Sequence, residues 1–177
     1  RTLRDALRDA GLAGRARANC ERGRHIGYLE AHIEQGETLE SSGLKIGVVT
    51  SIVGIWQYRI AFTGEQNHAG TTRMAIRRDA GLALARFCVA IDDRFPAACG
   101  PRTVAEMLFQ IRDDDPAVIA RLEDLLRSMA ADVDKQGRCS VAVERIRTGA
   151  PALMDVSFQQ AIEQAGAACA DGKSLRM

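Results

Sequence analysis

The chemistry of this sequence concentrates in two histidines and one arginine. His32 stands in Glu30-Ala31-His32-Ile33-Glu34-Gln35-Gly36, between two acids and at the end of an apolar run. Sheets of α/β proteins present their ligands at the carboxyl ends of strands. Two roles fit His32 equally: a hydrogen-bonded core histidine, or a metal ligand or catalytic base. As a ligand it would be one member of a set, since a metal needs several. His68 lies in Asn67-His68-Ala69-Gly70-Thr71-Thr72. Turn chemistry accounts for the Asn and Gly of that stretch and leaves the histidine unexplained. The backbone N–H groups and two hydroxyls around the ring suit an anion or a developing oxyanion. Arg112 precedes Asp113-Asp114-Asp115. Either it pairs with those acids as they open a helix, or its planar fork takes a substrate carboxylate. His25, beside a charged loop, reads as a surface residue, and Arg77-Arg78-Asp79 as a solvated helix entrance.

The elements that must hold these groups follow from periodicity. Leu3, Ala6, Leu7 and Ala10 are spaced for a short helix ending at Gly11. His25 to Ile33 is compact and apolar, and is expected to be a buried strand. Glu37 to Ser42 has room for one or two helical turns. Two β-branched runs, Ile46 to Val53 and Trp56 to Thr63, are separated by Gly54 and read as neighbouring strands. Gly64 to Met74 is polar, glycine-punctuated and aperiodic, hence a loop. Arg77 to Ile91 carries Ala80, Leu84, Phe87 and Ile91 on one stripe of a long helix. Ala105 to Ile111 is a strand candidate. Asp115-Pro116 opens a second long helix, with Ile119, Leu122, Leu126, Met129 and Val133 on one face and a stop at Gly137. Cys139 to Arg147 alternates as a half-buried strand, and Val156 to Ala170 is a helix of small residues. From Trp56 to Arg147 this order describes antiparallel strands with two helices on one face. The flanks read as pieces of another α/β unit.

Composition excludes several classes of function. A chain of 177 residues, 46% of them hydrophobic, forms one domain or two small ones. Its 24 Lys+Arg against 23 Asp+Glu give a net charge of +1, so there is no electrostatic footprint for nucleic acid or for an acidic membrane. The apolar stretch Ala80 to Ile91 is interrupted by Arg86 and falls far short of the roughly 20 residues of a membrane span. Arg1 to Arg8 lacks the apolar region of a signal peptide, and the chain reads as cytoplasmic. The five cysteines, odd in number and without a C-x-x-C pair, read as reduced and mostly core thiols.

Three blocks carry a resemblance. Tyr28-Leu29-Glu30-Ala31-His32-Ile33-Glu34-Gln35-Gly36, Ile46-Gly47-Val48-Val49-Thr50 and Gly64-Glu65-Gln66-Asn67-His68-Ala69-Gly70-Thr71-Thr72-Arg73-Met74 occur in this order. In them the chain resembles the metal-dependent amidohydrolases that include N-carbamoyl-L-amino acid hydrolase, allantoate amidohydrolase and β-ureidopropionase, relatives of aminoacylases and carboxypeptidases. The resemblance implies that His32 is a metal ligand and that Gln35 faces substrate. It implies that His68 is a lid histidine stabilising the intermediate at the scissile group, and that Arg112 clamps the substrate carboxylate. It further implies two divalent metals, zinc first and manganese, cobalt or nickel as alternatives, which polarise the carbonyl and activate a water. A homodimer formed through the lid is also implied.

The fold expected on this basis is α/β with an α+β lid. Residues 1–54 belong to the metal-binding catalytic domain, 55–149 to the lid and dimerisation domain, and 150–177 return to the catalytic domain. The family's H-x-D block, acidic pair and late G-H-D block have no counterpart here. At Val104-Ala105 its strand, proline-glycine turn and asparagine-bearing loop are missing. Glu37 and Arg73 replace family prolines, Arg73 close enough to His68 to bear on substrate preference. The chain is therefore expected to be an incomplete portion. Its parent would cleave the amide or ureido C–N bond of an N-carbamoyl amino acid, or of allantoate. By itself the chain would be inactive, a dimerisation or binding module.

Overall fold

A computed structural model of the chain describes residues 2–16, 19–101, 103–106, 109–169 and 173–177. They fall into two compact units, Arg1–Glu37 and Thr38–Met177. In the first, α1 (Leu3–Asp9) starts on a reciprocal cap: the Asp5 N–H donates to Thr2 Oγ1, and the Thr2 N–H donates to the Asp5 carboxylate. Residues 25–33, expected as a buried strand, form no strand, and Ile26, Tyr28, Leu29 and Ile33 are all exposed. A strand exists only as half of a ladder. Among the described residues no segment pairs with this one.

The second unit runs, in chain order, α2 (Thr38–Ser41), β1 (Gly47–Val48), β2 (Ser51–Ile52), β3 (Gly54–Thr63), α3 (Ala80–Arg94), β4 (Val104–Glu106), β5 (Gln110–Asp113), α4 (Pro116–Lys135), β6 (Ser140–Gly149), β7 (Ala152–Leu153), α5 (Val156–Cys169) and β8 (Leu175–Arg176). Its centre is an antiparallel sheet of order β4-β5-β3-β6. Along β3, Trp56, Tyr58, Ile60 and Phe62 pack toward the helices, while Arg59, Ala61 and Thr63 are exposed. This is the expected open-faced sandwich, the period-2 pattern selecting the covered face.

Four expectations are corrected. Ile46 to Val53 does not lie beside β3: it splits into β1, parallel to β8, and β2, antiparallel to β7. Gly54 is no separator but the first residue of β3, and a Cβ there would crowd the Gly149 carbonyl, Ile119 and Pro151. The helix expected from Arg77 starts at Ala80, because the Asp79 side chain accepts from the Leu82 N–H and sets the cap. The strand expected over Ala105 to Ile111 is a hairpin, with Glu106 opposite Gln110 and Phe109 in the left-handed region at φ 54°. Met107 and Leu108 of that stretch lie outside the described residues.

α4 lays Ile119, Leu122, Leu126 and Met129 on the sheet, as its spacing predicts. Leu122 has no exposed surface. Leu122→Ala is expected to cost about 2–5 kcal/mol of stability, by lost transfer energy and a residual cavity, measurable by urea unfolding. Beside this core Glu123 takes Arg127 at 2.6 Å and Arg145 at 2.7 Å. A register shift between Gln57 and Tyr58 against β6 brings Tyr58 opposite Arg145, whose guanidinium lies 4.3 Å from the centre of the Trp56 ring.

The Tyr58 hydroxyl is buried and has no hydrogen-bond partner among the described residues. Burial, then the Glu123 carboxylate, push its phenol well above the ordinary tyrosine value, against Arg145 and Arg127. The folded chain keeps this proton where the unfolded chain releases it, so stability falls as pH rises past about 10. Tyr58→Phe is expected to gain about 1 kcal/mol at neutral pH and to soften the alkaline loss, which urea titrations at both pH values would check.

Asp155 starts α5 by accepting from the N–H groups of Ser157 and Phe158. No disulfide joins the cysteines, but they are not mostly core: Cys139 is buried, Cys88 and Cys99 are intermediate, and Cys20 and Cys169 are exposed. Among the described residues no helix is long and apolar enough to cross a membrane.

Candidate active-site groups

The His68 loop is closed at its neck. β3 ends at Thr63, and a Cβ on Gly64 would collide with the Arg78 carbonyl, so only glycine permits this crossing. The Glu65 N–H donates to that carbonyl at 2.9 Å, and the Glu65 and Arg78 side chains pair at 3.6 Å. Between these ends the chain makes a tight turn. The Asn67 side chain accepts from the His68 N–H at 2.9 Å, and the Thr72 hydroxyl donates to the His68 carbonyl at 2.5 Å.

Inside the turn the N–H groups of Gly70 and Thr71 both donate to His68 Nδ1, each at 3.1 Å. An imidazole nitrogen that accepts carries no proton, so these two bonds fix the neutral tautomer with its proton on Nε2. This corrects the expectation from sequence. The donors of the loop do not face outward to hold an anion; they are used on the histidine, and the outward donor is His68 Nε2–H. The ring belongs to an exposed residue and so can meet a ligand.

His32 has the opposite arrangement. Its Nδ1 lies 2.5 Å from the Ile33 carbonyl, which can only accept, so Nδ1 is the donor of that bond, and in the neutral ring the lone pair is then on Nε2. That is the form in which a histidine ligates a metal, with the second nitrogen donating to a carbonyl. His32 and Gln35 are both exposed. No group of three His, Cys, Asp or Glu able to hold a metal occurs among the described residues. Thus the described residues hold one suited ligand and no complete metal site.

Arg112 sits in β5 opposite Ile55 of β3 and Val104 of β4. The three acids after it are otherwise engaged. Asp113 accepts from the Thr103 hydroxyl and the Asp115 N–H, Asp114 accepts from Ser51, and Asp115 caps α4. Arg112 forms no ion pair with any of them among the described residues, and its Nε is buried without a partner. A guanidinium left unpaired beside three carboxylates is available for another anion.

Within the second unit His68 and Arg112 do not converge. Arg112 is level with Ile55 at the start of β3, and the His68 loop leaves from Thr63 at its end. Eight residues at about 3.3 Å separate those levels by roughly 26 Å. A shallow cleft beside the neck of the loop is lined by Gly64, Glu65, Asn67, Arg78, Asp79 and Gly81.

Arg77 went unrecognised in sequence. Expected as part of a solvated entrance, it is half-buried and turns back into the loop, its Nη2 donating to the carbonyls of Ala69 at 3.0 Å and Thr72 at 3.1 Å. A long cation placed just before a helix cap and just after a polar loop was the available signal.

Comparison with known proteins agrees with the fold and the blocks. The allantoate amidohydrolase of Escherichia coli strain K12 is 54% identical over 61 residues, 34% of this chain and 15% of that protein. The N-carbamoyl-L-amino-acid amidohydrolase of Paenarthrobacter aurescens is 31% identical over 159 residues, 80% of this chain and 39% of the relative. An amidase of the hydantoinase/carbamoylase family from Burkholderia phymatum, known by crystal structure, superposes with a TM-score of 0.80 at 38% identity, covering 98% of this chain and 48% of that one. No family model matches. The chain spans at most about half the length of these relatives, and over that span it is similar in sequence and fold to amidases of the hydantoinase/carbamoylase family.

Proposed function

We propose that the protein containing this chain hydrolyses the amide or ureido C–N bond of an N-carbamoyl amino acid. The observation that carries this reading is the imidazole of the exposed His68, held at Nδ1 by two backbone N–H groups, which leaves Nε2–H as the ring's own donor. Attack of water on a carbamoyl carbonyl forms a C–O bond and moves negative charge onto the carbonyl oxygen. A preorganised N–H donor is worth most at that stage, because the charge it meets develops there. Collapse of the intermediate breaks the C–N bond as a proton from the attacking water passes to the leaving nitrogen, giving carbamic acid, which decomposes to CO2 and ammonia, and the amino acid, whose carboxylate Arg112 clamps. Gln35 faces the same substrate.

His32 supplies one ligand of a divalent metal, zinc in the first instance. The remaining ligands come from outside the described residues, and a bound metal would provide the activated water. Residues 1–54 and 150–177 belong to the catalytic domain and 55–149 to the lid, in a cytoplasmic protein. The separation of His68 from Arg112 along β3 supports a homodimer whose sites are shared: one copy's lid brings His68 to a substrate clamped by the other's Arg112. The 54% identity to an allantoate amidohydrolase over 61 residues favours allantoate as the second candidate substrate.

The test is hydrolysis of N-carbamoyl-L-amino acids and of allantoate by the full-length protein, together with its metal content. Metal and turnover of either substrate are expected; a metal-free, inactive full-length protein would leave a binding module. Arg112→Lys is expected to raise KM for carboxylate substrates about tenfold, since an ammonium lacks the planar fork. An unchanged KM would remove Arg112 from the site.

A further inference from the structure

We propose that Arg77 is a positioning residue that sets the orientation and tautomer of His68. The role rests on the reading of His68 as the oxyanion donor. The loop from Gly64 to Asp79 has no apolar anchor, with Met74 and Ile76 more than half exposed. It is held by hydrogen bonds, and among the described residues Arg77 is the side chain that reaches from its neck to its turn.

The two carbonyls it takes are informative. The Ala69 carbonyl belongs to the same peptide plane as the Gly70 N–H, and in a trans peptide the two groups point in opposite directions. Holding the oxygen therefore aims the N–H, and this is one of the two N–H groups that donate to His68 Nδ1. A cation on the carbonyl also polarises the plane and strengthens the bond at its far side. The Thr72 carbonyl lies on the residue whose N–H and hydroxyl both donate to the His68 carbonyl, so the second bond of Arg77 fixes the other end of the turn. Arg77 Nε is buried and has no hydrogen-bond partner among the described residues. The guanidinium is thus drawn into the loop at the cost of one unmade hydrogen bond, whereas a solvated surface arginine would give that group to water.

The experiment uses the full-length protein and its Arg77→Ala and Arg77→Lys variants. Steady-state kinetics on an N-carbamoyl-L-amino acid, metal content and thermal stability are measured together with the ring 15N shifts of His68, assigned by difference from His68→Gln. Arg77→Ala is expected to lower kcat about tenfold to a hundredfold, the effect of small misplacements of catalytic groups, with KM within about twofold and metal content unchanged. The ring shifts should move from a single Nε2–H tautomer to a mixture. Arg77→Lys, whose ammonium reaches one carbonyl, should fall between the two on both measures.

Wild-type ring shifts in Arg77→Ala would overturn the proposal, as would a kcat that falls only in proportion to the folded fraction. If Arg77→Ala does not fold, wild-type shifts and kcat in Arg77→Lys overturn it equally. An unaltered kcat in His68→Ala would instead remove the oxyanion reading. The ring shifts would still decide whether Arg77 sets the tautomer.

Discussion

Mixing His68→Ala and Arg112→Ala variants of the full-length protein, each nearly inactive alone, is expected to restore about a quarter of the wild-type rate. The expectation comes from the length of β3, which separates the Ile55 level, where Arg112 sits, from Thr63, where the His68 loop leaves, by more than an amino acid can span. If each site takes His68 from one copy and Arg112 from the other, a mixed dimer has one site with both defects and one with neither. Random exchange makes half the dimers mixed, each with one working site of two. The check is activity after subunit exchange, with mixed dimers verified by native mass spectrometry. Mixed dimers that stay inactive would place both residues in one copy's site, and the shared-site arrangement would be abandoned.

The second large effect separates the two imidazoles. His68→Ala is expected to lower kcat and kcat/KM together by about a hundredfold to a thousandfold, because it removes a donor whose bond strengthens as the oxyanion forms. Metal content should stay near that of the wild type. His32→Ala should lose metal as well as rate, since its Nε2 lone pair is the ligating group. Elemental analysis of both purified variants beside their kinetics makes the comparison. Equal metal loss in the two would mean that the opposite tautomers do not mark opposite roles.

Much of the four-stranded sheet and its helices was legible in sequence because their signals are local and periodic. β3 alternates from Tyr58 to Thr63, α4 carries a proline-led start, an apolar stripe and a glycine stop, and β6 alternates from Ser140 to Glu144. The segment 25–33 has an equally apolar composition, yet strand formation depends on a partner, and composition does not supply one. The hairpin between β4 and β5 was missed for a related reason. Its reversal is marked by a left-handed Phe109 rather than by glycine or proline, so no punctuation announces it.

In the site, residue types were readable and proton positions were not. That His68 sits in a donor-rich loop is a statement about sequence. That those donors point at its own Nδ1 depends on the direction of two peptide planes. Arg77 was misread for the same reason: an arginine beside a helix start is commonly solvated, and only its path back to Ala69 and Thr72 distinguishes it.

The exposed run Ile26, Tyr28, Leu29 and Ile33 bears on how such a protein is made. The Thr38–Met177 unit assembles its core from its own helices and sheet. The earlier run has no such shelter, and a short apolar β-prone stretch left open is what a chaperone groove binds and what seeds aggregation. During synthesis it leaves the ribosome before the Thr38–Met177 unit does. Its safe passage then depends on how soon a neighbouring strand arrives to cover it.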